Sequence, residues 1–312
     1  MGRSIYKYIS SEHIGKVFCS SDVATLKCSL PKEFNDPYEL FLTIDFNERP
    51  DALAYYVDAI GELPQLPTTC FSRSPSVLPM WAHYAQNLEG FAIEFDEDAL
   101  ANFFIEGRFG DVEYLESPKT DIAEMLYRAY VIGKPRHTYF LQSGVFRAAY
   151  FRKASCWSYE QERRMVLLDG EKTRHIGALT LIDVPSTCVT AIICGSRASL
   201  ETAQALKTQA EALKFRYFDL RVGRSSATPF FVGLDGQTFS FDGKCIIPDL
   251  QHCKGCNEPV TSGSSLCSWC QINDMHRTQA AARNPQRLLA HYGMLDSYIE
   301  QMDAIGEKFR KK

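Results

Sequence analysis

The sequence lacks any long apolar run. Nowhere in its 312 residues do 18 apolar residues follow one another, and the opening MGRSIYKYIS contains no apolar stretch of the length that a secretion signal needs. We therefore predict neither a membrane-spanning helix nor a cleaved leader. The expectation is a cytoplasmic protein with no membrane partner.

The sequence also lacks an excess of charge of either sign. Lys and Arg number 34 against 38 Asp and Glu, which gives a net charge of -4. Bulk electrostatics therefore do not draw the chain to nucleic acid, and any such contact would need a local basic patch. With 45% hydrophobic and 23% charged residues, the composition is that of a globular protein that buries a substantial core.

Several common catalytic signatures are missing from the sequence. There is no glycine-rich phosphate loop of the P-loop or dinucleotide type, no HExxH and no G-x-S-x-G. Internal repeats and basic low-complexity arms are missing as well. These absences argue against P-loop and Rossmann nucleotide enzymes, zinc proteases of the HExxH type and serine hydrolases with a nucleophile elbow.

A disulfide framework is not indicated, although the chain has 11 cysteines. Seven of them are scattered singly, several within apolar segments such as VTAIIC. We interpret these as reduced core cysteines. They are Cys19, Cys28, Cys70, Cys156, Cys188, Cys194 and Cys245.

The other four cysteines form two CxxC pairs that are separated by ten residues, in HCKGCNEPVTSGSSLCSWC. This spacing delivers four thiolates to one tetrahedral Zn²⁺ in a closed structural site. The predicted ligands are Cys253, Cys256, Cys267 and Cys270. Two redox pairs are disfavoured, since neither CxxC opens a helix after a strand. The ribbon is interpreted as a structural scaffold, with a nucleic-acid contact as the alternative.

The pattern of apolar residues predicts three segments. Residues 1–248 are predicted as a mixed α+β domain, residues 249–273 as the zinc ribbon and residues 274–312 as a helical segment. Apolar and β-branched runs predict strands at 90–95, 164–168, 178–184, 189–194 and 215–222. Helices are predicted around 119–133 and 199–214, and two Asp-Gly turns predict a small meander at 230–247.

The C-terminal segment is predicted to form a helix with one apolar stripe. Asn284 is expected to cap it and Pro285 to take the first helical position. The stripe comprises Leu288, Tyr292, Leu295, Ile299 and Met302, with Gly293 and Gly306 interrupting it. We expect this helix to serve packing or to join copies of the chain into a homo-oligomer.

Four segments of the main domain combine polar and aromatic residues in a way that a simple core would not need. They are IYKY (5–8), PKEFNDPYE (31–39), TCFSRSPSVLPMWAHYAQNLEGFAIEF (69–95) and CWSYEQERRMVLLDG (156–170). Each alone has an ordinary structural explanation, such as an Asx turn for the second segment. Their joint occurrence favours a functional site.

The last of these segments places two glutamates and two arginines at the start of a buried strand. Because strand residues two apart face the same side, Glu160 and Glu162 should share a face, with Arg163 opposite and Arg164 turned back towards them. The alternative is an ion pair at an exposed strand end, which contributes only about 0–1 kcal/mol.

In order, the motifs YKY, FNDPYE, CFS, MWAHY and W-x-YE-x-ER resemble the bacterial family called domain of unknown function 2971. The resemblance runs from Ile5 to Val222. That family, often found beside defence or mobile genes, has no chemistry attached to its label. It does not generally carry a zinc ribbon, so the role of residues 249–273 stays open.

The order of these segments also resembles the ADP-ribosyltransferase fold, which implies a mixed sheet core of that type and NAD as substrate. The resemblance makes Glu162 the catalytic glutamate that bonds the ribose 2′-hydroxyl, and Glu160 its upstream partner. Ser72 would support the glutamate, with His83 beside it in the catalytic group. The remaining residues implied to contact the dinucleotide are Tyr6, Lys7, Tyr8, Arg73, Trp81, Tyr84 and Arg164.

The resulting hypothesis is an NAD-dependent ADP-ribosyltransferase-like enzyme, a toxin or phage-defence effector. Its acceptor would be a protein or a nucleic acid, with regulation by a partner left open. Two alternatives remain. One is a non-enzymatic zinc-ribbon adaptor, and the other is a metal-dependent nuclease that uses His83 with Asp36 and Glu39.

Overall fold

The computed structural model describes residues 3–39, 44, 47–168, 172–260 and 263–310. The chain divides into two compact units, residues 1–250 and residues 251–312. This division lies close to the predicted boundary after residue 248. The separation of the ribbon from the following helices as two domains stays a prediction. Among the described helices, none has both the length and the apolar character that crossing a bilayer requires.

The strands of the first unit are mostly short. In chain order they are β1 (Ser4–Ile9), β2 (Val23–Cys28), β3 (Thr68–Ser72), β4 (Phe91–Asp96), β5 (Arg108–Asp111), β6 (Glu113–Leu115), β7 (Arg152–Ala154), β8 (Glu162–Val166), β9 (Arg174–Ile176), β10 (Leu179–Pro185), β11 (Val189–Cys194), β12 (Arg216–Arg221), β13 (Phe230–Gly233), β14 (Thr238–Phe241) and β15 (Ile246–Pro248).

The helices are distributed over both units. They are α1 (Ile14–Val17), α2 (Pro50–Ile60), α3 (Leu78–Tyr84), α4 (Glu97–Phe103), α5 (Thr120–Ile132), α6 (Pro135–Phe151), α7 (Leu200–Leu213), α8 (Asp274–Arg283), α9 (Pro285–His291) and α10 (Leu295–Arg310).

The first unit is built on one curled, mixed sheet of ten strands. Their order is β15-β14-β13-β12-β11-β4-β1-β3-β8-β5. Every neighbouring pair is antiparallel except β11 and β12. These two strands run parallel, and α7 connects them along the chain. A three-stranded sheet, β2-β10-β9, and the two-stranded sheet β6-β7 complete the unit. The predicted α+β class with a mixed sheet is confirmed.

The centre of the large sheet is buried on both faces and is largely apolar, with Glu94 of β4 as a buried exception. β4 is buried along FAIEF, and β11 is buried at all positions but one. Alternate residues of these strands enter two separate clusters, since successive side chains point to opposite faces. Ile93 and Ile192 lie in the first, and Ala92 and Ile193 in the second. Continuous apolar runs of this kind are why both strands were predictable from sequence.

Local signals also predicted the helix starts. The hydroxyl of Ser199 accepts from the N–H of Thr202 at the start of α7, and Asn284 accepts from Gln286 before Pro285 in α9. The Asp-Gly turns at 235–236 and 242–243 join β13, β14 and β15 into the predicted meander. These elements fall where the sequence placed them.

The loop between α3 and β4, residues 85–90, lies against Gly195, the first residue after β11. Gln86, Asn87 and Leu88 all have positive φ, and the N–H of Gly195 donates to the carbonyl of Gly90 at 2.9 Å. A Cβ on Gly195 would lie 2.2 Å from the Leu88 carbonyl oxygen. Only glycine fits here, because the two backbones touch.

Two cysteine predictions need correction. Cys28, Cys188 and Cys194 are buried, as expected for core thiols. Cys19 and Cys156 are exposed, so they are not core residues. Cys19 follows Phe18 directly after α1, and Cys156 directly precedes Trp157.

In the second unit, the cysteine-rich segment is followed by α8, α9 and α10. The chain turns between α9 and α10 at Gly293, which has a φ of +67°. Gly306, by contrast, lies inside α10 and does not break the helix. The predicted single helix is therefore divided in two at Gly293. Apolar side chains along α10, including Ile299 and Met302, are exposed. Self-association through this helix stays a prediction.

Candidate functional site

Three neighbouring strands bring the predicted site segments together. Tyr6 on β1 pairs with Ser72 on β3, and Ser72 pairs in turn with Glu162 on β8. This row borders a cavity of about 230 Å³. The cavity is lined by Tyr6, Lys7, Tyr8, Lys27, Ser29, Glu33, Phe34, Asn35, Thr68, Cys70, Phe71, Ser72, Met80, Tyr84, Lys153, Glu160 and Glu162.

The two predicted glutamates are both buried at this cavity. Glu160 is 3% and Glu162 5% exposed, so the interpretation as an exposed ion pair at a strand end is wrong. The reason given for their shared face is also wrong. Glu160 ends a 3₁₀ turn, Gln161 has a left-handed backbone with a φ of +45°, and β8 begins only at Glu162. The turn, not strand alternation, brings the carboxylates together.

Lys153 on β7 links the two carboxylates. Its Nζ donates to Glu160 Oε2 at 2.6 Å and lies 3.5 Å from Glu162 Oε2. The ammonium also lies over the ring of Trp157, 4.6 Å from its centroid. Burial disfavours the charge of Lys153, but the two glutamates outweigh it and raise the pKa of the ammonium. Lys153 is therefore a fixed cation inside the site.

The two glutamates differ in their ionisation. Burial raises the pKa of Glu160, with the nearby Glu162 charge adding to it, and Lys153 only partly opposes this. Burial would also raise the pKa of Glu162. The charge and hydrogen bonds of Arg164, helped by Lys153, reverse that effect and lower the pKa of Glu162 to about 2. Glu162 is thus a permanent anion at neutral pH.

Ser72 and Tyr84 hold Glu160 in place. The Ser72 hydroxyl donates to the backbone carbonyl of Glu160 at 2.7 Å, and the Tyr84 hydroxyl donates to Glu160 Oε1 at 2.6 Å. Ser72 therefore supports the turn that carries the glutamates through the backbone. The resemblance implied that Ser72 supports the catalytic glutamate, Glu162. In the structure its hydroxyl contacts Glu160 instead.

The residues of the first strand divide into two groups. The Tyr6 hydroxyl donates to buried Glu94 at 3.0 Å, and the Tyr8 hydroxyl donates to the carbonyl of Ser74 at 2.7 Å. Both rings border the cavity, but their hydroxyl protons are used within the protein. Lys7 is different, because its Nζ donates only to neutral acceptors, Thr69 Oγ1 at 3.1 Å and the Cys70 carbonyl at 2.8 Å.

Four predicted ligand or catalytic residues do not line this cavity. Arg73 pairs with Glu97 and Asp111, and Trp81 is fully buried with its indole N–H donating to the Pro75 carbonyl. His83 is exposed beside the ring of Tyr159. Arg164 is 0% exposed and uses all of its N–H groups within the protein. These residues lie around the site without lining its cavity. Their spacing in the sequence could not show the direction in which each side chain points.

The residues of the nuclease alternative have other roles in the structure. Glu39 binds Arg164, and Asp36 accepts from the N–H of Tyr38. Among the residues that the structure describes, one group of three or more His, Cys, Asp or Glu side chains lies close enough together to share a metal ion. That group consists of the four cysteines. Asp36, Glu39 and His83 are not such a group.

Sequence reasoning missed Lys153 and the contacts of the 31–39 segment. Lys153 belongs to FRKASCW, a stretch with no spacing rule attached. The one available signal was a lysine between an apolar helix and an aromatic cluster. Lys27, Phe34 and Asn35 also border the cavity, and they come from a strand and a loop distant in sequence.

The four cysteines of the second unit form the predicted metal centre. Their Sγ atoms all lie within 4.8 Å of one another, and Cys256 and Cys267 are 3.8 Å apart. The N–H of Cys267 donates to Cys253 Sγ, as does that of Gly255, and these bonds lower the pKa of Cys253 to about 6. Four convergent sulfurs with backbone donors fit a metal such as Zn²⁺.

The turns of this centre explain its sequence. Asn257, directly after the first CxxC pair, has a φ of +62°, a conformation that asparagine tolerates better than most residues. Gly255 lies so close to Cys270 that a Cβ would approach its Sγ to 3.1 Å. Residues 261 and 262 of the connecting loop lie outside the described residues.

Residues 80–165 match the model of a family described as "Protein of unknown function (DUF2971)". No curated protein and no solved structure matches the chain. The family match confirms the resemblance predicted from the motifs, and it includes both MWAHY and CWSYEQER. The motifs YKY, FNDPYE and CFS lie before the matched residues. The description assigns no reaction, so the chemistry has to be argued from the site.

Proposed function

We propose that this protein is an NAD-dependent ADP-ribosyltransferase-like enzyme. The observation that carries the proposal is the row of Tyr6, Ser72 and Glu162 across three adjacent strands at one cavity. The fold that the sequence resembles also uses a first strand with a polar or aromatic signature, a serine strand and a Glu-x-Glu strand. Here these three elements are spatial neighbours, although only the order of the segments was available from sequence.

The ionisation of Glu162 suits the chemistry. Breaking the nicotinamide–ribose bond passes through a state with oxocarbenium character, and a fixed carboxylate beside the sugar stabilises its positive charge. Glu162 is held as an anion by Arg164 and Lys153, so it needs no rearrangement during the reaction. The bond that breaks joins C1′ to the ring nitrogen, and its electron pair leaves with neutral nicotinamide. A nucleophilic atom of the acceptor forms the new bond to C1′ and gives up its proton to a base or to solvent.

The cavity borders charged groups of both signs, among them Glu160, Glu162, Lys153 and Lys7. The carboxylates can attract the positive nicotinamide ring of NAD, and the ammonium groups can attract its phosphates.

The carboxylates retain room for ribose hydroxyls. A carboxylate offers about four lone-pair sites. Among the described residues, the side chain of Glu160 accepts hydrogen bonds from Tyr84 and Lys153. Near Glu162 the cavity wall carries the Cys70 thiol, a weak donor whose place a ribose hydroxyl can take. Lys7, which has no ion pair among the described residues, supplies positive charge for a phosphate.

A cavity of about 230 Å³ is below the usual size for a whole drug-sized ligand, so it would enclose only part of NAD. We assign the ribosyl-nicotinamide end to it. The acceptor class, protein or nucleic acid, and a cytoplasmic role as toxin or phage-defence effector belong to the same proposal. They rest on the two family resemblances.

The test is nicotinamide release from NAD by the purified chain, with protein and RNA acceptors present. Glu162→Gln should lower the rate by at least about 100-fold, as loss of one transition-state contact typically does. Glu62→Gln, an exposed carboxylate on the same unit, is the matched control and should behave as wild type. No release by wild-type protein with any acceptor would refute the proposal and favour the non-enzymatic adaptor.

A further inference from the structure

The guanidinium of Arg164 is the most constrained charged group in the described chain segments around the cavity. Nε donates to Glu162 Oε1 at 2.7 Å, and Nη2 donates to Glu162 Oε2 and to Glu39 Oε2, each at 3.1 Å. Nη1 donates to Glu39 Oε1 and to the Tyr150 carbonyl, the latter at 2.9 Å. All five N–H groups of the side chain are used. Two of the five acceptors belong to Glu39.

We propose that Glu39 is a positioning residue of this site: it holds the Arg164 guanidinium in the orientation from which Arg164 fixes the Glu162 carboxylate. Glu39 is buried and does not line the cavity. It therefore reaches a bound ligand only through Arg164. The inference deepens the proposed function, and it rests on that function only for its activity measurement.

The loop that carries Glu39 is built to present it. The N–H of Glu39 donates to the Asp36 carbonyl at 3.2 Å, and the N–H of Tyr38 donates to Asp36 Oδ1 at 2.9 Å. These two bonds close an Asx-type turn around Pro37. The turn brings Glu39 to an arginine that is 125 positions later in the chain.

The same loop contacts Arg164 a second time. The ring of Phe34 lies under the guanidinium, with 5.3 Å between its centroid and Cζ. Asn35, between these two contacts, lines the cavity. The motif FNDPYE thus contains a stacking ring, a cavity residue, a turn and an anion for Arg164. Its residue types are explained by one task, which is to immobilise the cation behind Glu162.

Without the Glu39 charge, two N–H groups of Arg164 lose their anionic acceptor. The guanidinium is then held by Glu162, Tyr150 and Phe34 alone, and it can turn about its long side chain. Glu162 would move with it, because both of its oxygens accept from Arg164. A shift of about 1 Å in a reacting group can cost on the order of 100-fold in rate.

The test is Glu39→Gln, which keeps the side-chain shape and removes the charge. The first measurement does not depend on activity. In a ¹⁵N-edited proton spectrum, the Nε–H of Arg164, assigned by its loss in Arg164→Lys, should exchange slowly with water in wild type. In Glu39→Gln its exchange should be at least about 10-fold faster, since the guanidinium is no longer held at both ends. Unchanged exchange would overturn the proposal.

The second measurement is nicotinamide release by the same variants. We expect kcat to fall about 10- to 100-fold in Glu39→Gln while KM for NAD stays within about twofold, because Glu39 does not touch the ligand. In an Arg164→Met background, Glu39→Gln should cause no further loss in kcat. A raised KM with unchanged kcat, or full additivity of the two substitutions, would contradict a positioning role.

The outcomes separate the two proposals. If Nε–H exchange is faster in Glu39→Gln while the wild type shows no NAD activity, the positioning of Arg164 is upheld and the enzyme is refuted. If Glu39→Gln does not fold, Glu39→Asp replaces it, since aspartate keeps the charge but is one methylene shorter. That variant should show the same increase in exchange, to a smaller extent, and wild-type exchange in it would overturn the proposal.

Discussion

Replacing Arg164 by Met should destabilise the first unit in a way that depends on pH. The substitution keeps an unbranched apolar side chain in the core and leaves Lys153 as the cation that acts on both Glu39 and Glu162 among the described residues. Removing one partner of a buried ion pair costs about 3–5 kcal/mol, because the remaining charge has no compensation. For a domain whose total stability is about 5–15 kcal/mol, this is a large loss.

The structure gives an independent magnitude for the same effect. The pKa of Glu162 lies at about 2, against an ordinary value of 4.5. This difference corresponds to about 3 kcal/mol of stability. Because the pKa is lowered in the folded state, this stability is present above pH 4.5 and is lost as the pH falls towards 2. Both values place the net stabilisation of the Glu162 anion, to which Arg164 contributes most and Lys153 also contributes, at a few kcal/mol at neutral pH.

In Arg164→Met the sign reverses for Glu162. Burial then dominates, and the pKa of Glu162 should lie above its ordinary value in the folded state. The pKa of Glu39, which burial already raises in wild type, should rise further without the opposing charge of Arg164. Stability of that kind is full at low pH and is lost as the pH rises through the folded-state pKa values. The deficit against wild type should therefore be largest at pH 7.5 and should shrink towards pH 4.

The assay is urea unfolding of both proteins at pH 7.5 and at pH 4, followed by tryptophan fluorescence. Arg174→Met is the matched control, because Arg174 pairs with Asp183 at 2.9 Å where both side chains are substantially exposed. Its unfolding should stay close to wild type. The reasoning is refuted if Arg164→Met costs no more than this control, or if its deficit does not depend on pH.

Two further predictions concern the metal centre and a backbone contact. Purified protein should contain one zinc per chain by elemental analysis, and Cys256→Ser should remove most of it together with the hydrogen-exchange protection of residues 251–260, since the metal holds the ribbon together. Zinc retained at one per chain in that variant would contradict the Cys₄ site. Gly195→Ala should lower the free energy of unfolding by about 1–3 kcal/mol, because its Cβ would overlap the Leu88 carbonyl. Gly15→Ala, where no atom lies within 4 Å, should not destabilise the protein, and equal losses would show that the contact is irrelevant.

The sequence predicted those elements whose signal is local. The strand at 189–194 consists of β-branched and apolar residues, and its bounds are those of β11. The cap at Ser199 and the turn at Asn284-Pro285 depend on side chains next to the helix they start. The metal ligands are predictable for the same reason, since CxxC spacing fixes two sulfurs within one turn of chain.

The site was predictable only in part. The glutamates were found from the charge pattern at the start of β8, a buried strand that Glu160 precedes and Glu162 begins. The partners were not found, because Lys153 and Glu39 reach Glu162 through tertiary packing. Nothing near Glu39 in sequence indicates an arginine 125 positions away. Arg73 and Trp81 do not line the cavity, which the sequence could not show because residue type alone does not give side-chain direction.

The position of β1 in the large sheet has a consequence for how the protein is made. This strand lies between β3 and β4, and its contact from Tyr6 to Glu94 spans 88 positions. Contacts of such sequence separation form slowly, because a long loop must close first. On the ribosome β1 therefore emerges well before its partners, and the cavity cannot assemble until β8 has left the exit tunnel. Nascent chains shorter than this should be inactive and should depend on chaperones to shield the apolar faces of β1.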